Sequence, residues 1–220
     1  MNRAAFPQAS GPLLLQGGAG AIEAHIEWPA PALARDAVAV VCHPHSLHGG
    51  SMGNKVVTTC ERGLRELGCA TLRFNFRGVG RSAGEFDDGF GEGADLLALC
   101  EWIRDTRPSA KLVLAGFSFG AYVSITRAAA IAPQQLISIA PPVGRFDLGA
   151  FQHPHCPWLV LQPDADEVVD AQQVYAWVQR QQPAPTLVRF ADASHFFHGR
   201  LPELRAAIQA GVVALLPPLA

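Results

Sequence analysis

Continuous apolar runs alternate with segments of helical spacing along most of this chain, and that alternation restricts the fold more than any other feature. The runs AVAVVCHP (37–44), CATLRFNFRG (69–78), KLVLAGF (111–117), QLISIAPP (135–142), PWLVLQPD (157–164) and TLVRFA (186–191) have the length of strands. The run 37–44 is continuous, as in strands covered on both faces, while 69–78 alternates at its end. Helical patterns fill 54–68, 90–108, 119–131, 170–182 and 201–216, with Gly68 and Pro108 placed to end the first two. This order predicts an α/β fold, a mostly parallel sheet with helices on both faces. Residues 12–16 and 20–28 flank a Gly-rich turn and predict an antiparallel N-terminal edge.

The 220 residues fit one domain, assigned to 1–220 with its core at about 12–216. Hydrophobic residues make up 49% and charged residues 16%, a globular composition. The net charge of −2, without long runs of one sign, argues against nucleic acid and against a polybasic membrane patch. No stretch approaches the roughly 18 apolar residues of a membrane span, and MNRAAFPQASGPLLLQGG is too weakly apolar for a signal peptide. The five cysteines (Cys42, Cys60, Cys69, Cys100, Cys156) form no Cys-x-x-Cys pair and read as buried free thiols of a reducing cytoplasm.

In a sheet of this kind, ligands gather at the carboxyl ends of the strands. The segments there are CHPHSLHGGSMGNK, RGVGRSAGEFDDG, Ser118, DADEVVD and DASHFFHGR. They bring a hydroxyl, an acid and an imidazole to one edge, in the order Ser118, Asp166, His195. Ser118 lies in Gly116-Phe117-Ser118-Phe119-Gly120, between a strand and a helix. A corner so sharp strains the residue at its tip, and glycines two residues to either side remove the side chains that would collide. The Ser118 hydroxyl then sits at a helix N-terminus, with the Phe119 N–H pointing to the same place.

A serine hydroxyl needs a base to take its proton. His195, in the loop after the last strand, is the chosen base, with His198 as its competitor and read as a packing or loop-pinning residue. The base needs an acid to fix its tautomer. Asp164, Asp166, Glu167 and Asp170 all follow the strand 157–162, and Asp166 is preferred. Asp164 reads as a turn carboxylate bonding its own backbone, Asp170 as an N-cap, and Asp147 is an outside candidate. In the loop after 37–41, the N–H of His45, or next Ser46, would be a second oxyanion donor. DADEVVDAQQVY lacks the Gly and Glu of a calcium loop, and HPHSLH and HPHC lack a helix that would pre-organise zinc ligands. No metal or cofactor is expected.

GFSFG, PDADEVV and ASHFF resemble the nucleophile elbow, acid turn and histidine loop of the α/β-hydrolase superfamily. CHPHSLHGG, LRFNFRGVGRSAGEFDDG and APPVGRFD further resemble a group of small bacterial α/β-hydrolases, mostly known as predicted hydrolases or esterases. The resemblance spans roughly 12–216. It implies a Ser118–His195–Asp166 triad, with Pro163 standing where the acid turn usually has Gly. His43-Pro44-His45 stands where the superfamily usually has His-Gly-x, which implies His45 as the donor beside Phe119. Arg77, Gly78, Gly80 and Ser82 match a segment that is usually structural. Many members insert a lid between the strands at 135–140 and 157–162; PVGRFDLGAFQHPHC is too short for one. The expectation is therefore a lidless hydrolase of small or exposed carboxylic esters. Phe146, Phe151 and the 84–90 loop would be its partial cover, and a thioesterase, amidase or peptidase the alternative. A non-catalytic binding module remains the third reading.

Overall fold

The computed structural model describes residues 4–149 and 151–219. The first three residues and the last of the expected 1–220 span, and position 150 in the short segment read as lidless, lie outside the described residues. Eight strands form one sheet in the order β1-β2-β4-β3-β5-β6-β7-β8. They are β1 (Gly11–Gly17), β2 (Gly20–Glu27), β3 (Ala37–Cys42), β4 (Ala70–Phe74), β5 (Lys111–Phe117), β6 (Gln135–Ile139), β7 (Trp158–Pro163) and β8 (Thr186–Phe190). From β4 to β8 every pairing is parallel, and β1 and β2 make the antiparallel edge. The helices are α1 (Lys55–Glu66), α2 (Phe90–Thr106), α3 (Phe119–Ile131), α4 (Ala171–Gln179) and α5 (Leu201–Val212).

The apolar runs are explained by burial on both sides. Along β3, Val38, Val40 and Cys42 enter one core with α2, α3 and α4. Ala37, Ala39 and Val41 enter a second core with α1 and α5. Successive side chains of a strand point to opposite faces, so a strand between two helical layers is apolar at every position. At the β2 edge only Ile22, Ala24 and Ile26 are buried, and the run alternates.

Local signals set the helix starts. The Asn54 side chain accepts the Val56 N–H at the head of α1, and Asp170 accepts the Gln172 N–H at the head of α4, the N-cap the sequence suggests. Glu92 reaches back to the N–H groups of Gly89 and Asp87 at the start of α2. The last helical pattern ends early: α5 stops at Val212 and tightens into a 3-10 turn over Val213–Leu215.

Between β6 and β7 the described residues form turns and extended chain with no helix. The cysteines are unpaired, four of them buried; Cys156 departs from the expectation and is only half-buried. Among the described residues no helix is long and apolar enough to cross a membrane.

Candidate active site

Five strand exits meet at one edge of the sheet. β3 and β5 are direct neighbours, so the loop carrying His43–His45 starts beside the strand that ends at Ser118. β7 and β8, the next pair but one, carry Asp166 and His195.

Ser118 has φ 54° and ψ −119°, a region costly for any residue with a Cβ. The corner is over-determined from several sides. The Ser118 N–H continues the β5–β6 ladder to the Ile139 carbonyl at 2.9 Å, and its carbonyl accepts from Ala121 at 2.8 Å to begin α3. Both flanking glycines are sterically required. A Cβ on Gly116 would lie 2.2 Å from the Gly120 carbonyl oxygen, and one on Gly120 would lie 2.4 Å from that of Cys42. The second contact also shows how closely the loop after β3 passes over the first turn of α3.

His195 Nε2 stands 3.1 Å from Ser118 Oγ. Its Nδ1 stands 2.9 and 3.0 Å from the two carboxylate oxygens of Asp166. A carboxylate can only accept, so Nδ1 carries the proton and Nε2 presents its lone pair to the Ser118 hydroxyl. Asp166 also accepts the N–H groups of Val168 and Val169, each at 2.8 Å, and the Gln162 amide at 3.2 Å. Burial pushes its carboxyl up, but the His195 bond and charge and the two N–H groups outweigh this and hold it below the usual carboxylate range.

The other acids have separate employment. Asp164 does not bond its own backbone, as a turn carboxylate would; it accepts from the Tyr175 hydroxyl and, at 2.8 and 3.1 Å, from Arg189. Asp147 accepts the Gly149 N–H. Glu167 accepts the main-chain N–H of His195 at 3.0 Å, a contact the sequence hid, although the consecutive Asp166-Glu167 pair is its visible trace. His198 is exposed rather than packed in the core, and its ring touches Phe196 and the Ser194 hydroxyl.

His43 enters the sequence reading only as the first residue of His43-Pro44-His45, with no role of its own. It is fully buried, donates from Nδ1 to the Pro44 carbonyl at 2.6 Å, and accepts the Phe76 N–H at Nε2 at 2.9 Å. Both ring nitrogens are therefore occupied. Burial, only partly opposed by the Pro44 bond, pushes its pKa down to about 4.

The segment after β4 behaves as a structural loop. Gly78 and Gly80 have positive φ. Ser82 donates to the Asn75 carbonyl and accepts the Glu23 N–H, and Arg77 pairs with buried Asp95 at 2.9 Å.

The two phenylalanines beside Ser118 both pack. The Phe117 ring lies under His195, with centroids 5.0 Å apart. Phe119 is the hub of an aromatic group reaching His45, Phe76, Phe86, Tyr122 and Phe146. Phe86 and Phe146 thus stand where partial cover is expected. Phe151 does not: it packs on Trp158 and Trp177, by the amino end of β7. A cleft of about 510 Å³, lined by His153, Cys156, Trp158 and Pro183 among others, opens at that far edge, away from Ser118. Among the described residues, the N–H groups of His45 and Phe119 have no hydrogen-bond partner within the protein.

No protein-family model matches the chain. It is 35% identical over 183 residues to the uncharacterized protein RP471 of Rickettsia prowazekii (strain Madrid E), covering 78% of this chain and 76% of that one. The crystal structure of XC6422 from Xanthomonas campestris, described as a member of the α/β serine hydrolases without lid, is 53% identical. It matches 99% of this chain and 100% of its own with a TM-score of 0.95. An α/β serine hydrolase homologue from Coxiella burnetii is 43% identical, with 94% and 100% covered and a TM-score of 0.90. Strand order, the short β6–β7 connection and these relatives agree: the chain belongs to the α/β-hydrolase superfamily, among its lidless members.

Proposed function

We propose that this protein is a serine esterase that cleaves small or exposed carboxylic esters through an acyl-enzyme on Ser118. The observation that carries the reading is the unbroken hydrogen-bond line from Ser118 Oγ through His195 to Asp166, at 3.1 and 2.9 Å. His195 Nε2 takes the Ser118 proton as Oγ attacks the ester carbonyl. Asp166, held ionised by its N–H donors and its histidine, stabilises the imidazolium that forms. His195 then gives its proton to the departing alcohol, and water repeats the sequence on the acyl group.

The carbonyl oxygen becomes an oxyanion during attack, and donors already in place stabilise it most. The reading assigns this to the N–H groups of Phe119 and His45. Two features support it: both groups lack an internal partner among the described residues, and the Cys42–His43 backbone lies against Gly120 at the head of α3. Small or exposed substrates follow from the cover. Phe86 and Phe146 are half-buried side chains on loops, and an uncapped site excludes water poorly. The unpaired cysteines fit a reducing compartment, the cytoplasm.

Ser118→Ala should abolish turnover of p-nitrophenyl acetate and leave the fold unchanged; retained turnover contradicts the assignment. Matched oxygen-ester, thioester and amide substrates separate the ester reading from the thioesterase, amidase and peptidase ones, with the ester expected to turn over fastest.

A further inference from the structure

The His195 loop holds strained backbone at two non-glycine positions, Asp192 with φ 57° and Phe197 with φ 52°. Such conformations persist only where surrounding contacts over-determine them. Phe197 supplies one anchor, since its ring is fully buried against Phe190. Main-chain bonds from Ala165 to Ala193 and from Asp164 to Phe190 supply others on the near side of the loop. At His195 itself the ring is tied to Asp166, but a ring bond fixes only the imidazole relative to its acid. The main chain that carries the ring needs its own restraint.

Glu167 provides it. Consecutive residues send their side chains in different directions, and the Asp166-Glu167 pair uses this to hold one histidine at two points. Asp166 turns inward to the ring, with its side chain fully buried. Glu167 stays at the exposed rim and takes the His195 N–H at 3.0 Å. A carboxylate accepting a backbone N–H makes a charge-assisted bond, stronger than a neutral one. The same acid turn therefore sets both the tilt of the imidazole and the position of the backbone beneath it.

We infer that Glu167 is a positioning residue, which acts through the His195 main chain to keep Nε2 on Ser118 Oγ. This rests on the proposed role of Ser118 and His195. It assigns Glu167 no contact with substrate: its effect falls on the chemical step, because a displacement of about 1 Å at a reacting group is enough to cost up to a hundredfold in rate.

The test compares Glu167→Ala, which removes the acceptor, with Glu167→Gln, whose amide oxygen can accept the same N–H. Two readouts are taken. The first needs no turnover: proton NMR of the His195 Nδ1–H, protected from water by its bond to Asp166. Glu167→Ala should speed its exchange with water about tenfold, and Glu167→Gln should leave it near wild type. The second is kinetic, with p-nitrophenyl acetate: Glu167→Ala should lower kcat about tenfold with KM unchanged, and Glu167→Gln should restore most of it. Wild-type exchange in Glu167→Ala overturns the inference, as does a Glu167→Gln protein as impaired as Glu167→Ala. If Ser118→Ala keeps its turnover, the serine assignment fails instead, and the exchange measurement still decides the role of Glu167.

Discussion

His43 Nε2 accepts the main-chain N–H of Phe76 at 2.9 Å, and this one bond ties the loop after β3 to the loop after β4 beneath the candidate site. The acceptor role demands a neutral imidazole, because a protonated ring has only donors. The fold therefore depends on the charge of a residue that does not touch Ser118.

A stability change with pH follows. Burial holds the His43 pKa down at about 4 in the folded protein, while the unfolded chain has the ordinary value of about 6.5. Between these values the unfolded state binds more protons, so this contribution to stability is present above about pH 6.5 and is lost as pH falls toward 4. It is worth on the order of 3 kcal/mol at most. Urea unfolding at pH 7 should find His43→Asn about 2 kcal/mol less stable than wild type, through the broken buried bond. At pH 4.5 the gap should close. A gap that stays constant across this range contradicts the neutral-pin account.

The strain at Ser118 gives a second expectation. Ser118→Ala and Ser118→Gly both lose the hydroxyl bond to His195, so their difference isolates the backbone. Alanine keeps the cost of φ 54° and ψ −119°, of order 1–3 kcal/mol, whereas glycine sheds it and gives back roughly 0.5–1 kcal/mol in chain entropy. Ser118→Gly should therefore be about 1 kcal/mol more stable than Ser118→Ala by urea unfolding, with both inactive. A Ser118→Gly protein less stable than Ser118→Ala, by the chain-entropy cost of glycine alone, would mean that the elbow carries no strain.

The open edge predicts substrate size. Cover near Ser118 comes from single side chains, Phe86 and Phe146, resting on Phe119 and His45. A series of p-nitrophenyl esters should show kcat/KM falling steeply beyond short acyl chains, since no lid closes over a long one. A long-chain preference contradicts this.

The strands were legible because β3, β5, β6 and β7 are buried on both faces, so their runs are mostly apolar; the polar exceptions Gln135, Ser138 and Gln162 are buried as well. Their ends were less so. The run at 69–78 looks like strand throughout, yet β4 stops at Phe74, because Asn75 and Phe76 turn their backbone and amide groups to Glu23, Met52 and His43. Ser118, Asp166 and His195 could be picked out because each stands at a strand exit, where side chains of that chemistry have little structural use. The roles of His43 and Glu167 could not, since their work is done through main-chain N–H groups distant in sequence. Asp164 misled for the opposite reason: its partner Arg189 comes from the neighbouring strand β8, which no local pattern announces. Phe151 sits only five residues from Phe146, yet it packs on Trp158 and Trp177 by the amino end of β7 while Phe146 packs on Phe119, and sequence distance does not carry that.

The central claim is that His195 and Asp166 make Ser118 a nucleophile. It is tested most directly by the rate at which a fluorophosphonate labels Ser118, read by mass spectrometry of the modified peptide, in wild type, His195→Ala and Asp166→Asn. The account predicts a single modified residue, Ser118, in wild type, with labelling slowed by about 10³-fold or more in each variant. Labelling at another residue, or equal rates in all three proteins, would contradict it.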